Sequence, residues 1–195
     1  MNIVLKTASG HVIVRPDTTW EKDNDDLYLP DFVDTLSFTP ILFVRMSRPG
    51  RSIRKEFAGR YYDSFGYGLL FYPEELDDGS AEGFAAASCL DKTSILPSPL
   101  YNMVVLGNEG NVFRLEKEGK EIFSCEAFKE SAVRTVADVD TLIEEVTSHV
   151  SVRTGDMVAI ELAPRQVIYN REEGNRSIQG HFCENEIISF QIIVD

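Results

Sequence analysis

Residues 138–156 read DVDTLIEEVTSHVSVRTGD and have the clearest helical pattern in the sequence. Its apolar residues recur at helical spacing on one face and are Val139, Leu142, Ile143, Val146 and Val150. Asp138 is suited to cap the amino end, while Asp140 and Glu144 favour the positive end of the helix dipole. The stretch therefore predicts an amphipathic helix that ends before Gly155-Asp156 and leads into a strand.

Most of the remaining chain has the pattern of β-strands. β-branched and aromatic residues alternate or run together between Gly, Pro, Asn and Asp. The predicted strands are residues 11–15, 27–29, 40–46, 66–72, 101–106, 112–117, 120–125, 157–162, 166–169 and 187–194. Glu118-Gly119 predicts a hairpin, because Gly adopts the positive φ of a tight turn. No repeat or linker interrupts the pattern, so we expect residues 1–195 to form one mixed, β-dominated α+β domain.

Composition limits the classes of partner and compartment. The chain has 195 residues, of which 43% are hydrophobic and 26% charged, a balance typical of a globular protein. A net charge of −13 repels phosphate backbones and anionic lipids, so neither nucleic acid nor a membrane is expected as a partner. The amino end has no secretory signal pattern, and the three cysteines form no CxxC pair. We therefore expect a cytoplasmic protein.

Two charged segments each leave two interpretations open. Residues 45–60 contain six basic residues and one acid, which fits either an anion-binding surface or the solvated face of a short helix. The acidic cluster Glu74, Glu75, Asp77 and Asp78 fits either a metal site or a solvated loop, and its position beside Gly79 favours the loop. The three histidines are scattered without metal-ligand spacing.

Several motifs, taken in order, resemble the fumarylacetoacetate hydrolase family. The helix of residues 138–150 runs into Thr154-Gly155-Asp156, residues 117–120 match a hairpin before it, and residues 184–190 match the last strand. In the first half, Arg15-Pro16-Asp17, residues 29–32, 44–48 and 57–63, and Gly68 follow in family-like spacing. The resemblance covers residues 11–195 and is nearest to short bacterial members labelled 2-hydroxyhepta-2,4-diene-1,7-dioate isomerases.

The resemblance implies a particular fold and chemistry. Family members are β rolls with few helices, usually homodimers, and act on small 2-oxo or β-diketo acids. A divalent metal, usually magnesium, polarises the oxo-acid in these enzymes. Such hard cations need oxygen ligands, above all carboxylates.

The resemblance also implies that this chain has lost the active-site residues. The three expected ligand positions fall on Thr39, Ile41 and Leu70, so we expect no metal and no cofactor. The expected catalytic positions fall on Glu74, Glu82 and Glu161, which differ from the family residues. The family's His-x-x-Glu pair is expected before Arg15, yet residues 1–10 contain no histidine.

These losses favour a non-catalytic protein that acts as a dimeric binding, scaffolding or regulatory domain. Arg15 and Arg45 are the candidate ligand-binding residues, because a guanidinium grips a carboxylate with two parallel hydrogen bonds. The expected partners are a second copy of the chain and a small organic acid. The alternative is a hydrolase, isomerase or decarboxylase of small oxo-acids whose active site has moved to other residues.

Overall fold

A computed structural model describes residues 1–108, 110–125 and 135–194. Within these residues strands predominate, as expected for the predicted fold class. The strands are β1 (Asn2–Lys6), β2 (Val12–Pro16), β3 (Trp20–Glu21), β4 (Leu27–Tyr28), β5 (Thr35–Met46), β6 (Tyr62–Pro73), β7 (Ser94–Ile95), β8 (Tyr101–Asn102), β9 (Arg114–Lys117), β10 (Lys120–Ser124), β11 (Met157–Glu161), β12 (Gln166–Asn170), β13 (Arg176–Phe182) and β14 (Asn185–Ile193). The helices are α1 (Lys55–Ala58), α2 (Ala81–Ala87) and α3 (Val136–His149).

The strands form two sheets, of which the larger is curled. Its strand order is β2-β1-β11-β5-β6-β7-β3, with β12 added to β5 and β8 added to β6. Strands β2 and β3 stand at opposite ends of this order, yet only residues 17–19 join them, a length that spans at most roughly 14 Å. The two ends of the sheet must therefore lie close together. The smaller sheet has the order β10-β9-β13-β14-β4.

The antiparallel pair β5–β6 lies at the centre of the larger sheet. Each strand has 12 residues, and they pair from Leu36 opposite Pro73 to Met46 opposite Tyr62. Nearly every position of both strands is buried, because each face covers a different core. A large core on one face includes the apolar side of α3. The second core, on the other face, consists of Ile3, Leu5, Ile41, Phe43, Leu70, Tyr72, Ala87, Leu96, Met157 and Ala159.

Helix α3 has the predicted apolar face but begins earlier than predicted. Val139, Leu142, Ile143 and Val146 are buried in the large core. The amino-terminal cap is Thr135, whose hydroxyl accepts from the backbone N–H of Asp138 while the Asp138 carboxylate accepts from Thr135 N–H. Asp138 is therefore the acidic partner in a capping box and not the cap itself.

Three sequence expectations differ from the structure. Strands β1 and β13 were not predicted, because β1 is a short segment at the amino end and Gly180 interrupts the apolar pattern of β13. Residues 103–105 form a turn of 3-10 helix and not a strand. The basic segment does contain a short helix, as one of the two interpretations expected, but α1 is limited to a single turn and residues 47–54 lie outside it. No helix in the described ranges is both long and apolar enough to cross a membrane.

The glycine at position 68 permits β6 to approach the end of β7 closely. A Cβ built on Gly68 would lie 2.1 Å from the backbone carbonyl oxygen of Ile95. We expect Gly68→Ala to lower the free energy of unfolding by about 1–3 kcal/mol, because a backbone atom must move to relieve the overlap. Urea denaturation measures the change.

The matched control is Gly59→Ala. Gly59 ends α1 with φ of −60°, and no atom lies closer than 3.8 Å to a Cβ added there. This variant should be neutral or slightly stabilising. Equal losses in the two variants would contradict the close approach at Gly68.

Candidate functional site

The three expected ligand positions come together in the fold. Thr39 on β5 lies directly opposite Leu70 on β6, and Ile41 lies two residues along the same face of β5. All three residues are fully buried. Ile41 and Leu70 are members of the second core, and the Thr39 hydroxyl donates to the backbone carbonyl of Ala163 at 2.8 Å.

This group of residues does not fit a divalent metal. Magnesium and calcium bind oxygen ligands, whereas the side chains of Ile41 and Leu70 are hydrocarbon. The hydroxyl of Thr39 is already committed to a carbonyl. Across the described ranges, no group of three His, Cys, Asp or Glu residues is arranged to hold a metal ion. Metal-dependent chemistry therefore has no support from these residues.

Polar side chains gather instead around Tyr72, which belongs to the second core. The guanidinium carbon of Arg15 lies 4.9 Å from the centre of the Tyr72 ring, and that of Arg165 lies 3.9 Å from it. Both are favourable cation–π distances. The Tyr72 hydroxyl donates to the carboxylate of Glu161 at 3.4 Å. We refer to Arg15, Tyr72, Glu161 and Arg165 as the arginine–tyrosine array.

Arg15 is the most unusual member of the array. Its side chain is fully buried, and its Nη2 donates to the carbonyl of Phe71 at 3.1 Å and to Thr93 Oγ1 at 2.7 Å. These partners lie on β6 and just before β7, so Arg15 reaches from β2 across the inside of the curled sheet. Its Nε and Nη1 are buried without a hydrogen-bond partner. Burial lowers the pKa of Arg15, since the charged form loses its hydration.

The polar and charged groups of the other members of the array have partners within the protein. Arg165 forms an ion pair with Asp77, with Nη1 and Oδ2 2.5 Å apart. Glu161 accepts from the backbone N–H of Ala8 at 2.7 Å, and burial raises the pKa of its carboxyl group. Burial also raises the pKa of Tyr72 to about 12, so the phenol stays protonated and can donate.

Arg45, the second candidate binding residue, lies away from the array. In the strand register Arg15 is opposite Ile3, Ile3 is opposite Met157, and Met157 is opposite Arg45. Three strand spacings place the backbones of the two arginines roughly 14 Å apart along the sheet. Arg45 is half-exposed and forms a two-pronged pair with Asp63, with N–O distances of 3.1 and 3.2 Å.

The three expected catalytic positions do not come together in the fold. Glu161 belongs to the array and lies opposite Ile41 in the register of β11 with β5. Glu74 accepts from the Ser37 hydroxyl, and Glu82 is exposed on the first turn of α2. The sequence did not single out Tyr72 or Arg165. Both are separated from Arg15 by more than fifty residues, so no local pattern connects the three.

Comparison with known proteins supports the fold. No protein-family model matches the sequence, and no curated protein matches it. Among solved structures, the chain is similar to a protein from Yersinia pestis described as belonging to the fumarylacetoacetate hydrolase family (TM-score 0.77, 16% identity, covering 98% of this chain and 92% of that one). It is similar to a fumarylpyruvate hydrolase from Pseudomonas aeruginosa in complex with Mn²⁺ and pyruvate (TM-score 0.77, 13% identity, covering 100% and 90%).

A third similar structure is a 2-hydroxyhepta-2,4-diene-1,7-dioate isomerase from Mycobacterium marinum (TM-score 0.74, 16% identity, covering 99% and 73%). The predicted fold, that of the fumarylacetoacetate hydrolase family, is therefore confirmed. Identities at this level show a shared fold, and the chemistry has to be argued from the residues of this chain.

The half-buried carboxyl group of Glu161 generates a prediction about pH and stability. Because its pKa is raised in the folded state, the folded protein binds this proton more tightly than the unfolded chain, whose value is near 4.5. Glu161 therefore costs stability as the pH rises above 4.5, and the cost is fully present above the raised pKa. We expect the melting temperature of Glu161→Gln to be higher than that of the parent protein at pH 7. At pH 4 the two melting temperatures should be about the same.

Thermal unfolding followed by circular dichroism across this pH range measures the difference. Glu82→Gln, on the exposed side of α2, is the matched control. A Glu161→Gln difference that is the same at pH 4 and pH 7 would show that burial does not perturb this carboxyl group.

Proposed function

We propose that this chain is a degenerate member of the fumarylacetoacetate hydrolase family that binds a small organic acid without metal-dependent catalysis. The observation that carries the proposal is the second core. Two expected ligand positions, Ile41 and Leu70, are hydrocarbon there, while the buried Arg15, which contacts Tyr72 of the same core, has two nitrogens, Nε and Nη1, without an acceptor. The fixed positive charge of Arg15 favours an anionic ligand.

A carboxylate is the ligand that satisfies Arg15 best. An isolated buried charge costs several kcal/mol, and a partner of opposite charge with good hydrogen-bond geometry offsets this cost. The unpaired Nε and Nη1 point in different directions, because Cδ lies between them, so a carboxylate oxygen can accept a charge-assisted hydrogen bond from either nitrogen but not from both. Arg165 is already paired with Asp77, so its own charge is largely compensated. Arg15 is thus the residue that we expect to hold the acid.

One observation supports a second candidate function, a metal-independent tautomerase. Glu161 has a raised pKa, and its carboxylate accepts from Tyr72 in the same array as Arg15. A carboxyl group whose pKa is raised by burial can carry a proton between two positions of an oxo-acid held by Arg15. Such activity would be unaffected by chelators and would be lost in Glu161→Gln.

The metal-free site generates a prediction about cations and turnover. Calorimetry with Mg²⁺ or Mn²⁺ should detect no saturable binding, because the expected ligand positions offer hydrocarbon and one committed hydroxyl. Assays on acylpyruvates and oxaloacetate should give background rates with and without metal. The fumarylpyruvate hydrolase from Pseudomonas aeruginosa serves as the positive control. Micromolar metal binding, or turnover that depends on added metal, would overturn the proposal.

We also propose that the chain is a homodimer, as the family resemblance implies. Several large apolar side chains are exposed on the single chain, among them Tyr28, Phe32 and Val167. Light scattering should give twice the chain mass of 21.9 kDa at all concentrations above the micromolar range. A mass of 21.9 kDa that is independent of concentration would exclude the dimer.

A further inference from the structure

Exposed cationic side chains gather on the loop between β5 and β6 and on the turn that precedes β11. We refer to them as the basic surface, and its members are Arg48, Arg51, Arg54, Lys55, Arg60 and Arg153. The backbone joins the two segments, because Gly50 and Val152 exchange hydrogen bonds of 3.0 and 2.9 Å. Arg51 and Arg153 are the residues that follow this pair, so the two segments present their cations side by side.

The loop that carries the basic surface is fixed to the body of the protein. Ser52 and Ile53 donate their backbone N–H groups to the carbonyl and the hydroxyl of Thr147 on α3, at 2.8 and 3.0 Å. The side chain of Ile53 is buried in the large core. At the base of the loop, Arg48 donates its backbone N–H to the carbonyl of Tyr61 at 3.3 Å. A partner would therefore order only side chains on this surface, which lowers the entropic cost of binding.

The lack of ion pairs distinguishes the basic surface from the other cations of the chain. The sequence has 32 acidic and 19 basic residues, so carboxylates are plentiful. In the described ranges, every exposed or partly exposed Lys or Arg outside the surface, except Lys120, forms an ion pair with a carboxylate. None of the six members of the surface does so among these residues. Their charge remains available to an anion from outside the chain.

The carboxylates that border the surface are few and mostly occupied. Asp63 forms an ion pair with Arg45, and Glu144 accepts from the backbone N–H of Lys55 at 3.2 Å. Glu56 is exposed on α1 between members of the surface. The surface is thus a bounded area of positive charge with carboxylates at its edges.

An exposed aromatic side chain lies within the basic surface. Phe57 is 47% exposed, and the guanidinium carbon of Arg60 lies 5.2 Å from the centre of its ring. This is a cation–π distance. Phe57 therefore offers an apolar contact directly beside a positive charge, which suits a partner that carries an apolar group next to its anionic groups.

We propose that the basic surface binds an acidic segment of a partner protein, whose carboxylates pair with the arginines and one of whose apolar side chains packs on Phe57. One small anion cannot contact cations spread over two backbone segments, so several linked carboxylates are required. Nucleic acids and anionic membranes extend beyond the surface, where they would meet the bordering carboxylates of a chain with net charge −13. A short acidic segment avoids this repulsion. The inference is independent of the organic acid proposed for Arg15.

The first test measures the binding of short labelled peptides to the parent protein by fluorescence anisotropy. A peptide of Glu and Asp residues around one Phe should bind, and its affinity should fall as NaCl is raised, because salt screens exposed charge pairs. The same peptide with Gln and Asn in place of the acids should not bind. A single-stranded oligonucleotide of equal charge and vesicles of phosphatidylserine are the alternative polyanions.

The second test uses variants of the surface. Arg51→Glu should weaken binding of the acidic peptide by about tenfold, since an attractive charge pair becomes a repulsive one. Lys120→Glu is the matched control, because Lys120 is exposed on β10 in the smaller sheet and its reversal changes the net charge equally. This control should bind the peptide like the parent.

The aromatic contact is tested with a second pair of variants. Phe57→Ser should weaken binding of the peptide by about threefold, because an apolar contact is lost. Val104→Ser is the matched control, since Val104 is 76% exposed outside the basic surface. Near-ultraviolet circular dichroism confirms that each variant is folded.

The outcomes decide between the surface, the partner class and simple net charge. If the parent protein does not bind the acidic peptide at low salt, the proposal is overturned. Equal losses in Arg51→Glu and Lys120→Glu would exclude the basic surface and show that net charge alone governs binding. Tighter binding of the oligonucleotide or the vesicles than of the peptide would overturn the assignment to an acidic protein segment. Each of these results leaves the proposed acid site at Arg15 unaffected.

Discussion

The rest of the structure depends on the antiparallel pairing of β5 with β6. Two twelve-residue strands run side by side through the middle of the larger sheet, and almost every side chain on them is buried on one face or the other. Such a ladder cannot shift by one residue, because a shift would exchange the side chains of the two cores. Gly66 and Gly68 add a further constraint, since each faces a close neighbour that a Cβ would displace.

That pairing fixes which side chains meet at the expected ligand positions. The register that sets Thr39 opposite Leu70 would hold any side chains at these positions close together. With hydrocarbon there, the same geometry produces packing, and burial of Ile41 and Leu70 contributes about 1.5–3 kcal/mol each relative to exposure. Tyr72 of this core contacts the guanidinium of Arg15, and the low polarity of the core makes the unpaired Nε and Nη1 costly.

The similar structures have 12–16% identity to this chain and include a hydrolase bound to Mn²⁺ and pyruvate. Fold similarity at this level reflects shared patterns of burial and strand pairing, which many sequences satisfy. Catalysis depends on a few polar side chains, and these are free to change as long as the core remains packed. A chain can therefore share its fold with a metal-binding enzyme and still have an apolar second core.

The sequence alone predicted the helices and strands that depend on local pattern. Helical periodicity located α3, the Glu118-Gly119 turn located the hairpin of β9 and β10, and the long apolar runs located the interior of β5 and β6. The identity of residues at Thr39, Ile41 and Leu70 also stands in the sequence. Strand β13 was missed, because Gly180, required by close contact with Ile188 and Leu115, breaks the apolar pattern.

The different surroundings of Arg15 and Arg45 are visible only in the tertiary structure. In sequence both are arginines on apolar strands, and nothing local distinguishes them. The curl of the larger sheet buries Arg15 against Tyr72 and leaves it without a carboxylate within ion-pair distance in the described residues. The side chain of Arg45 is half-exposed and forms an ion pair with Asp63. The difference arises because Arg15 meets Phe71 and Thr93, more than fifty positions away, through closure of the sheet, whereas Arg45 meets Asp63 through the pairing of β5 with β6. Local periodicity encodes neither contact.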